Sequence, residues 1–180
     1  MIIVSSLARL PDTLAERRPS HLISLLDPGS MIDTPAGFSA DNHLRLEMHD
    51  VVSPRPGETP PDRRHVARLV AFIDRWDRRD PLVVHCWAGI SRSSATAFIA
   101  ACRRSPETDP FVFAQAIRQA APFAWPNARL VALADAELRR NGQMSAAVAA
   151  IGPGKSWLEV EAEPYEVPLA VIEEPQDRDG

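Results

Sequence analysis

The strongest constraint on this chain is the stretch Val83-Val84-His85-Cys86-Trp87-Ala88-Gly89-Ile90-Ser91-Arg92-Ser93-Ser94-Ala95-Thr96. Leu82-Val83-Val84 is a short apolar run suited to a strand buried on both faces. Trp87 to Ser91 is a tight loop with one glycine. From Arg92 the residues turn small and apolar, as in a helix packed on all sides. A cysteine therefore ends a strand, a loop curls over it, and a helix starts beyond the loop. The N–H groups at a helix start lack intrahelical partners, and the helix dipole is positive there. Such an end binds phosphate or sulfate. Arg92 adds a planar fork for two anion oxygens. The same positive field favours the thiolate form of Cys86. A thiolate below a cradled phosphate points to attack on phosphorus and a cysteinyl-phosphate.

The rest of the chain reads as an α/β layered fold with a mainly parallel sheet. Ile2 to Ser5, His21 to Leu26 and His43 to Met48 read as strands, and Pro11 to Arg18 as a helix. Asp27-Pro28-Gly29 is a turn, and Ser30 to Asn42 a loop with at most one helical turn. After the proline-rich loop Asp50 to Pro61, Asp62 suits a helix N-cap, and Val66, Leu69, Val70, Ile73 and Trp76 follow at helical spacing. Downstream, Phe111 to Ala121, Asn127 to Arg140 and Met144 to Ile151 read as helices, the second stopped by Asn141-Gly142.

At 180 residues the length suits one domain with a real core. Residues 1–152 form the expected catalytic domain, and 153–180 an acidic, proline-containing tail or arm. Of the overall charge of −4, the tail holds −6, which leaves the body at +2, mildly basic as an anion-binding domain would be. Leu158, Val160 and Ala162 alternate with glutamates and suit an added strand, whereas Pro164, Pro168 and Pro175 favour an extended arm. No basic cluster dominates, which argues against nucleic acid. The apolar Met1-Ile2-Ile3-Val4 is too short for a signal peptide or membrane span. Two cysteines form no disulfide framework, so a reduced, cytoplasmic setting is expected.

The pattern His85-Cys86-x5-Arg92-Ser93, with Ala88-Gly89-Ile90-Ser91 inside, closely resembles the signature loop of the protein tyrosine phosphatases, in the flavour of their dual-specificity branch. The resemblance covers residues 1 to about 141. It implies a three-layer fold: a mainly parallel central sheet flanked by helices, with a strand–P-loop–helix active site. It also implies roles. Cys86 is the nucleophile, and Arg92 binds the phosphate and stabilises the transition state. Ser93 hydrogen-bonds the sulfur as it leaves. His85 orients the loop and tunes the thiol. The backbone N–H groups of Trp87, Ala88, Gly89, Ile90, Ser91 and Arg92 cradle the substrate phosphate. No metal or other cofactor takes part.

The family's general acid is an aspartate on a mobile upstream loop. Asp50 ends a strand-like segment 36 residues before Cys86 and is the choice here. Asp62 is the rival, although it suits a helix cap. The proline-rich insert departs from a compact aspartate loop.

Bland readings compete. A free cysteine is usually structural, and Cys102, on the apolar helix, is read that way. Trp87 is a pocket wall or mere packing. His49 could shape Asp50 or simply lie exposed, and the scattered His21, His43 and His65 lack ligand spacing. Arg55 could meet a second anionic group. The expected function is hydrolysis of phosphate monoesters, with phosphotyrosine or another phosphoprotein as substrate. A small phosphate ester is the alternative substrate. A non-catalytic phosphate-binding module that kept the loop competes, as does a sulfur-transfer enzyme, more weakly. The acidic tail could contact a partner or the body itself.

Overall fold

The protein is described by a computed structural model over residues 1–155 and 162–169. Strands β1 (Ile2–Ser6), β2 (His21–Leu26), β3 (His43–Glu47) and β4 (Leu82–Cys86) are parallel, and β5 (Tyr165–Val167) runs antiparallel along β1. The sheet order is β3-β2-β4-β1-β5. Helix α1 (Leu10–Arg17) links β1 to β2, and α2 (Arg63–Arg75) links β3 to β4. After β4 come α3 (Arg92–Arg104), α4 (Pro110–Ala120), α5 (Ala128–Glu137) and α6 (Gln143–Ile151).

β1, β2 and β4 are buried on both faces, whereas Arg45 and Glu47 of the edge strand β3 are exposed, and the side chains sort with a period of two. Ile2, Val4, Ile23, Leu25, Leu82 and Val84 join the large core under α2 to α6. Ile3, Leu22 and Val83 point the other way, to a small core under Leu10 and Leu14 of α1 and Ile32 and Phe38 of the loop after β2. The result is the expected three layers, unequal in thickness. Arg92 to Cys102 of α3 are all buried, as the all-round apolar reading required. Asp62 caps α2 in a reciprocal box with His65.

Two boundaries differ from expectation. The α5 pattern runs to Arg140, but the helix stops at Glu137. The buried Asp135 carboxylate accepts from Gly142 N at 2.6 Å and Ser145 N at 3.0 Å, capturing the start of α6. Arg139 and Asn141 turn the chain with φ of 54° and 52°. In the tail, Leu158 and Val160 of the alternating segment lie outside the described residues. A strand does form at Tyr165–Val167, with Pro164 and Pro168 at its ends rather than within it. It buries Tyr165 edge-on to Phe123, and Glu163 and Glu166 pair with Arg9 and Arg17 of the α1 region. Among the described residues no helix is long and apolar enough to cross a membrane.

Candidate active site

Parallel strands bring their C-terminal ends to one edge of the sheet, and ligands of open α/β sheets bind there. Asp27 follows β2, Met48 to Asp50 follow β3, and Cys86 ends the central β4. Three segments far apart in sequence therefore converge at the start of α3.

The loop from Trp87 to Ser91 is held open by its carbonyls. Trp87 O accepts from Leu7 N at 3.1 Å, Ile90 O from Trp125 N at 2.9 Å, and Ser91 O from Asn127 N at 3.2 Å. The Ser94 hydroxyl reaches Ile90 O and Ser91 O from below. Because a trans peptide points N–H opposite to C=O, outward carbonyls turn the N–H groups toward the concave side. Gly89 is needed for two reasons. Its φ is +75°, and a Cβ there would lie 3.1 Å from the backbone of both Ser5 and Ser6. Ser91 precedes α3 but does not cap it with its side chain. That hydroxyl donates instead to Asp50 Oδ1 at 2.7 Å.

Cys86 lies at the base, buried, with Sγ 3.1 Å from Ser93 Oγ. Arg92 is 3% exposed. Its Nη1 donates to Asp27 Oδ1 at 2.7 Å and to Met48 O at 2.6 Å. Its Nε makes no hydrogen bond among the described residues and lies 4.0 Å from Asp50 Oδ2. One side of the guanidinium is thus anchored while the buried Nε remains for an anion. Cys86, Arg92, Ser93 and Asp50 are all gathered here, with Trp87 to Ser91 forming the wall.

Asp50 is exposed on one side and fixed on the other: Oδ1 accepts from Ser91 Oγ and from Asn127 Nδ2 at 2.8 Å. Its loop is closed at the neck, where His49 N donates to Thr59 O and Thr59 N donates to His49 Nδ1, both at 2.8 Å. The proline-rich insert is therefore an anchored loop, and His49 ties its neck. Asp62 lies at the start of α2, accepting from His65 N at 3.0 Å. Burial alone would raise its carboxyl, but the His65 N–H and ring hold it below the ordinary value.

His85 is fully buried behind the loop. Its Nε2 lies 2.6 Å from Ser24 Oγ, which is also 2.8 Å from His43 Nε2, and His43 Nδ1 lies 3.0 Å from Thr34 Oγ1. One hydroxyl proton cannot serve two bare nitrogens, so at least one of the two Nε2 atoms carries a proton toward Ser24. Burial pushes both imidazoles down to about 4, with Arg45 adding to the effect at His43. His85 faces the Cys86 backbone from behind and stays neutral there.

Three participants escape sequence reasoning. Asp27 reads as a turn residue, yet its Oδ2 also accepts from Trp87 Nε1 at 3.0 Å, so it holds two side chains of the loop. Ser24 sits inside an apolar strand pattern, and its polar character is the one hint of a buried partner. Asn127 reads as a helix cap, which it is for α5, and its amide nitrogen also serves Asp50. Cys102 is buried, and burial pushes its thiol up to about 12, the state of an inert core cysteine.

The protein-tyrosine phosphatase family model matches residues 42–128, from the start of β3 to the start of α5. Curated protein sequences give no match. Among solved structures, DUSP15 superposes with a TM-score of 0.56 at 20% identity, covering 86% of this chain and 94% of that one. Human DUSP28 gives 0.57 at 20% identity, covering 77% and 94%. PTPMT1, solved in complex with PI(5)P, gives 0.57 at 14% identity, covering 83% and 93%. At these identities the likeness is one of fold. The family match and the likeness of fold together make the chain similar to the protein tyrosine phosphatases, with an architecture like that of the dual-specificity members.

Proposed function

We propose that this protein is a cysteine-dependent phosphatase that hydrolyses phosphate monoesters through a cysteinyl-phosphate. The observation that carries the reading is the grouping around one loop: Cys86 Sγ against Ser93 Oγ, the unpartnered Nε of buried Arg92, and Asp50 beside it. In the first step the Cys86 thiolate attacks phosphorus. The S–P bond forms, the P–O bond to the leaving group breaks, and Asp50 Oδ2 delivers a proton to the departing oxygen. Oδ2 is the suitable oxygen because Oδ1 is engaged by Ser91 and Asn127. The loop N–H groups and Arg92 stabilise the equatorial oxygens as charge spreads over them. In the second step water attacks phosphorus and gives its proton to Asp50. The S–P bond breaks, and Ser93 donates to the sulfur as the thiolate leaves.

Asp62 is set aside as the acid because the helix cap occupies it and favours its ionised form. Residues 1–152 supply the catalytic domain, and the tail is an arm whose Tyr165–Val167 segment extends the sheet. A reduced, cytoplasmic compartment suits the thiol. The substrate class is a phosphoprotein, phosphotyrosine above all, with a small phosphate ester as the alternative. A phosphoinositide headgroup fits less well, since Trp87, Ala88 and Ile90 bring no cation to the loop beside Arg92. Replacing Cys86 with serine is expected to abolish turnover of an aryl phosphate while the melting profile is kept. Turnover at the wild-type rate in that variant would refute the mechanism, and a wild-type protein inert toward every monoester would favour a binding module.

A further inference from the structure

Beside the phosphate cradle opens a cavity of about 330 Å³. Its walls come from three segments: Asp50 to Arg55 of the anchored loop, Ile90 and Ser91 of the cradle, and the turn from Trp125 to Ala128. They form one hydrogen-bonded frame. Trp125 N reaches Ile90 O, Asn127 N reaches Ser91 O, and both Asn127 Nδ2 and Ser91 Oγ reach Asp50 Oδ1. The cavity is thus rigidly registered to the reacting atoms.

Position says what enters it. Asp50 must touch the leaving oxygen, and Asp50 lines the cavity, so the body attached to that oxygen continues into it. Chemistry says what kind of body. Trp125 and Val52 are each 58% exposed, large apolar surfaces left uncovered by the fold, and Ile90 and Pro126 complete an apolar side. An indole face left open to solvent suits stacking by a ring. Arg55 is the sole cation among the lining residues, and it makes no ion pair within the described residues. A guanidinium at the rim of an apolar slot suits a carboxylate on the far side of the ring.

Building on the phosphatase reading, we propose that this cavity is a leaving-group subsite for an aryl phosphate that carries a second, carboxylate charge. The ring packs on Trp125 and the carboxylate meets Arg55. A free carboxyaryl phosphate and a phosphotyrosine peptide with an acidic neighbour share this chemistry.

The test measures binding rather than turnover, so that it stands even if catalysis fails. The Cys86→Ser protein is titrated calorimetrically with butyl, phenyl and carboxyphenyl phosphate, and with phosphotyrosine peptides having acidic or neutral neighbours. Adding Trp125→Ala is expected to weaken phenyl relative to butyl phosphate about tenfold. Adding Arg55→Gln is expected to cut the preference for the carboxylated ligand over its neutral counterpart about fivefold. The pair in which the preference is larger, small molecule or peptide, identifies the source. Trp125→Leu serves as a second variant that keeps apolar bulk without the ring. Equal losses for butyl and phenyl phosphate in both Trp125 variants, or an unchanged carboxylate preference in Arg55→Gln, would overturn the proposal. Failure of the phosphatase reading is seen separately, as absence of turnover in the protein with Cys86 intact.

Discussion

Two carboxylates flank Arg92, and the difference between them assigns their work. Asp27, at the end of β2, takes the Arg92 guanidinium at 2.7 Å on one oxygen and the Trp87 indole N–H at 3.0 Å on the other. Both of its oxygens are committed to the loop. Asp50, beyond the end of β3, takes two neutral donors on Oδ1 alone, and its Oδ2 stands 4.0 Å from Arg92 Nε. Asp27 therefore acts as an anchor that points Arg92 and Trp87. Asp50 keeps Oδ2 clear of those donors, as the proposed proton transfer requires. Two aspartates at neighbouring strand ends differ in role because of the donors around them, a common device for separating carboxylate functions.

The comparison can be broken most sharply at Asp50. Asp50→Ala is expected to lower kcat about 10²- to 10⁴-fold for an alkyl phosphate and far less for a phosphate whose leaving group needs no proton. A uniform loss across leaving groups, measured in steady-state assays, would remove Asp50 from proton transfer. Asp27→Asn is expected to cost about 10- to 100-fold in kcat/KM, because a misaimed guanidinium weakens every substrate's transition state equally. Leaving-group dependence in that variant would erase the distinction between the two aspartates.

The support behind the loop predicts a pH effect. His43 and His85 have folded values of about 4, below the ordinary 6.5, because both are buried. The unfolded chain then binds more protons between those values, so stability is fully present above the ordinary value and is lost as the pH falls toward about 4. Thermal melts at about pH 7.5 and about pH 5 should show a loss of roughly 2 kcal/mol for each histidine that stays neutral in the fold while it protonates in the unfolded chain. Ser24→Ala, which breaks the link between the two rings, should alter that slope. The smallest effect is expected at the surface. Glu163→Ala removes the exposed contact with Arg9 and should cost less than about 1 kcal/mol in denaturant titration. A larger loss would mean that the tail holds the α1 region more strongly than an exposed pair can.

Much of the architecture is legible from periodicity. The strands from Ile2, His21 and His43 and the Asp62 cap follow from local patterns, because an apolar run, an apolar–polar alternation and a helix cap each depend on adjacent residues. The C-terminus of α5 is not legible, because the Asp135 carboxylate that ends the pattern acts across ten residues on Ser145 N. The position of β5 also escapes, since its Tyr165-Glu166-Val167 is too short to announce a strand until β1 offers an edge. Within the site, the loop from Cys86 to Ser93 is contiguous and readable. Asp27, Ser24 and Asn127 are not, for each is an ordinary turn, strand or cap residue until the sheet places it.

The sequence by itself determined the contiguous chemistry: a cysteine at a strand end, a glycine in the tight loop after it, an arginine at the first position of the helix, and a serine beside it. Those are set by local backbone geometry and by residues a few positions apart. Tertiary structure alone decided which carboxylate anchors the arginine and which keeps an oxygen toward the cradle. It also decided that two histidines bridged by Ser24 back the loop, and that Trp125 and Arg55 share a cavity with Asp50. Those outcomes depend on the order β3-β2-β4-β1, which carries the ends of distant strands to one edge. No local pattern encodes that order, because it follows from which strands bury the most surface together.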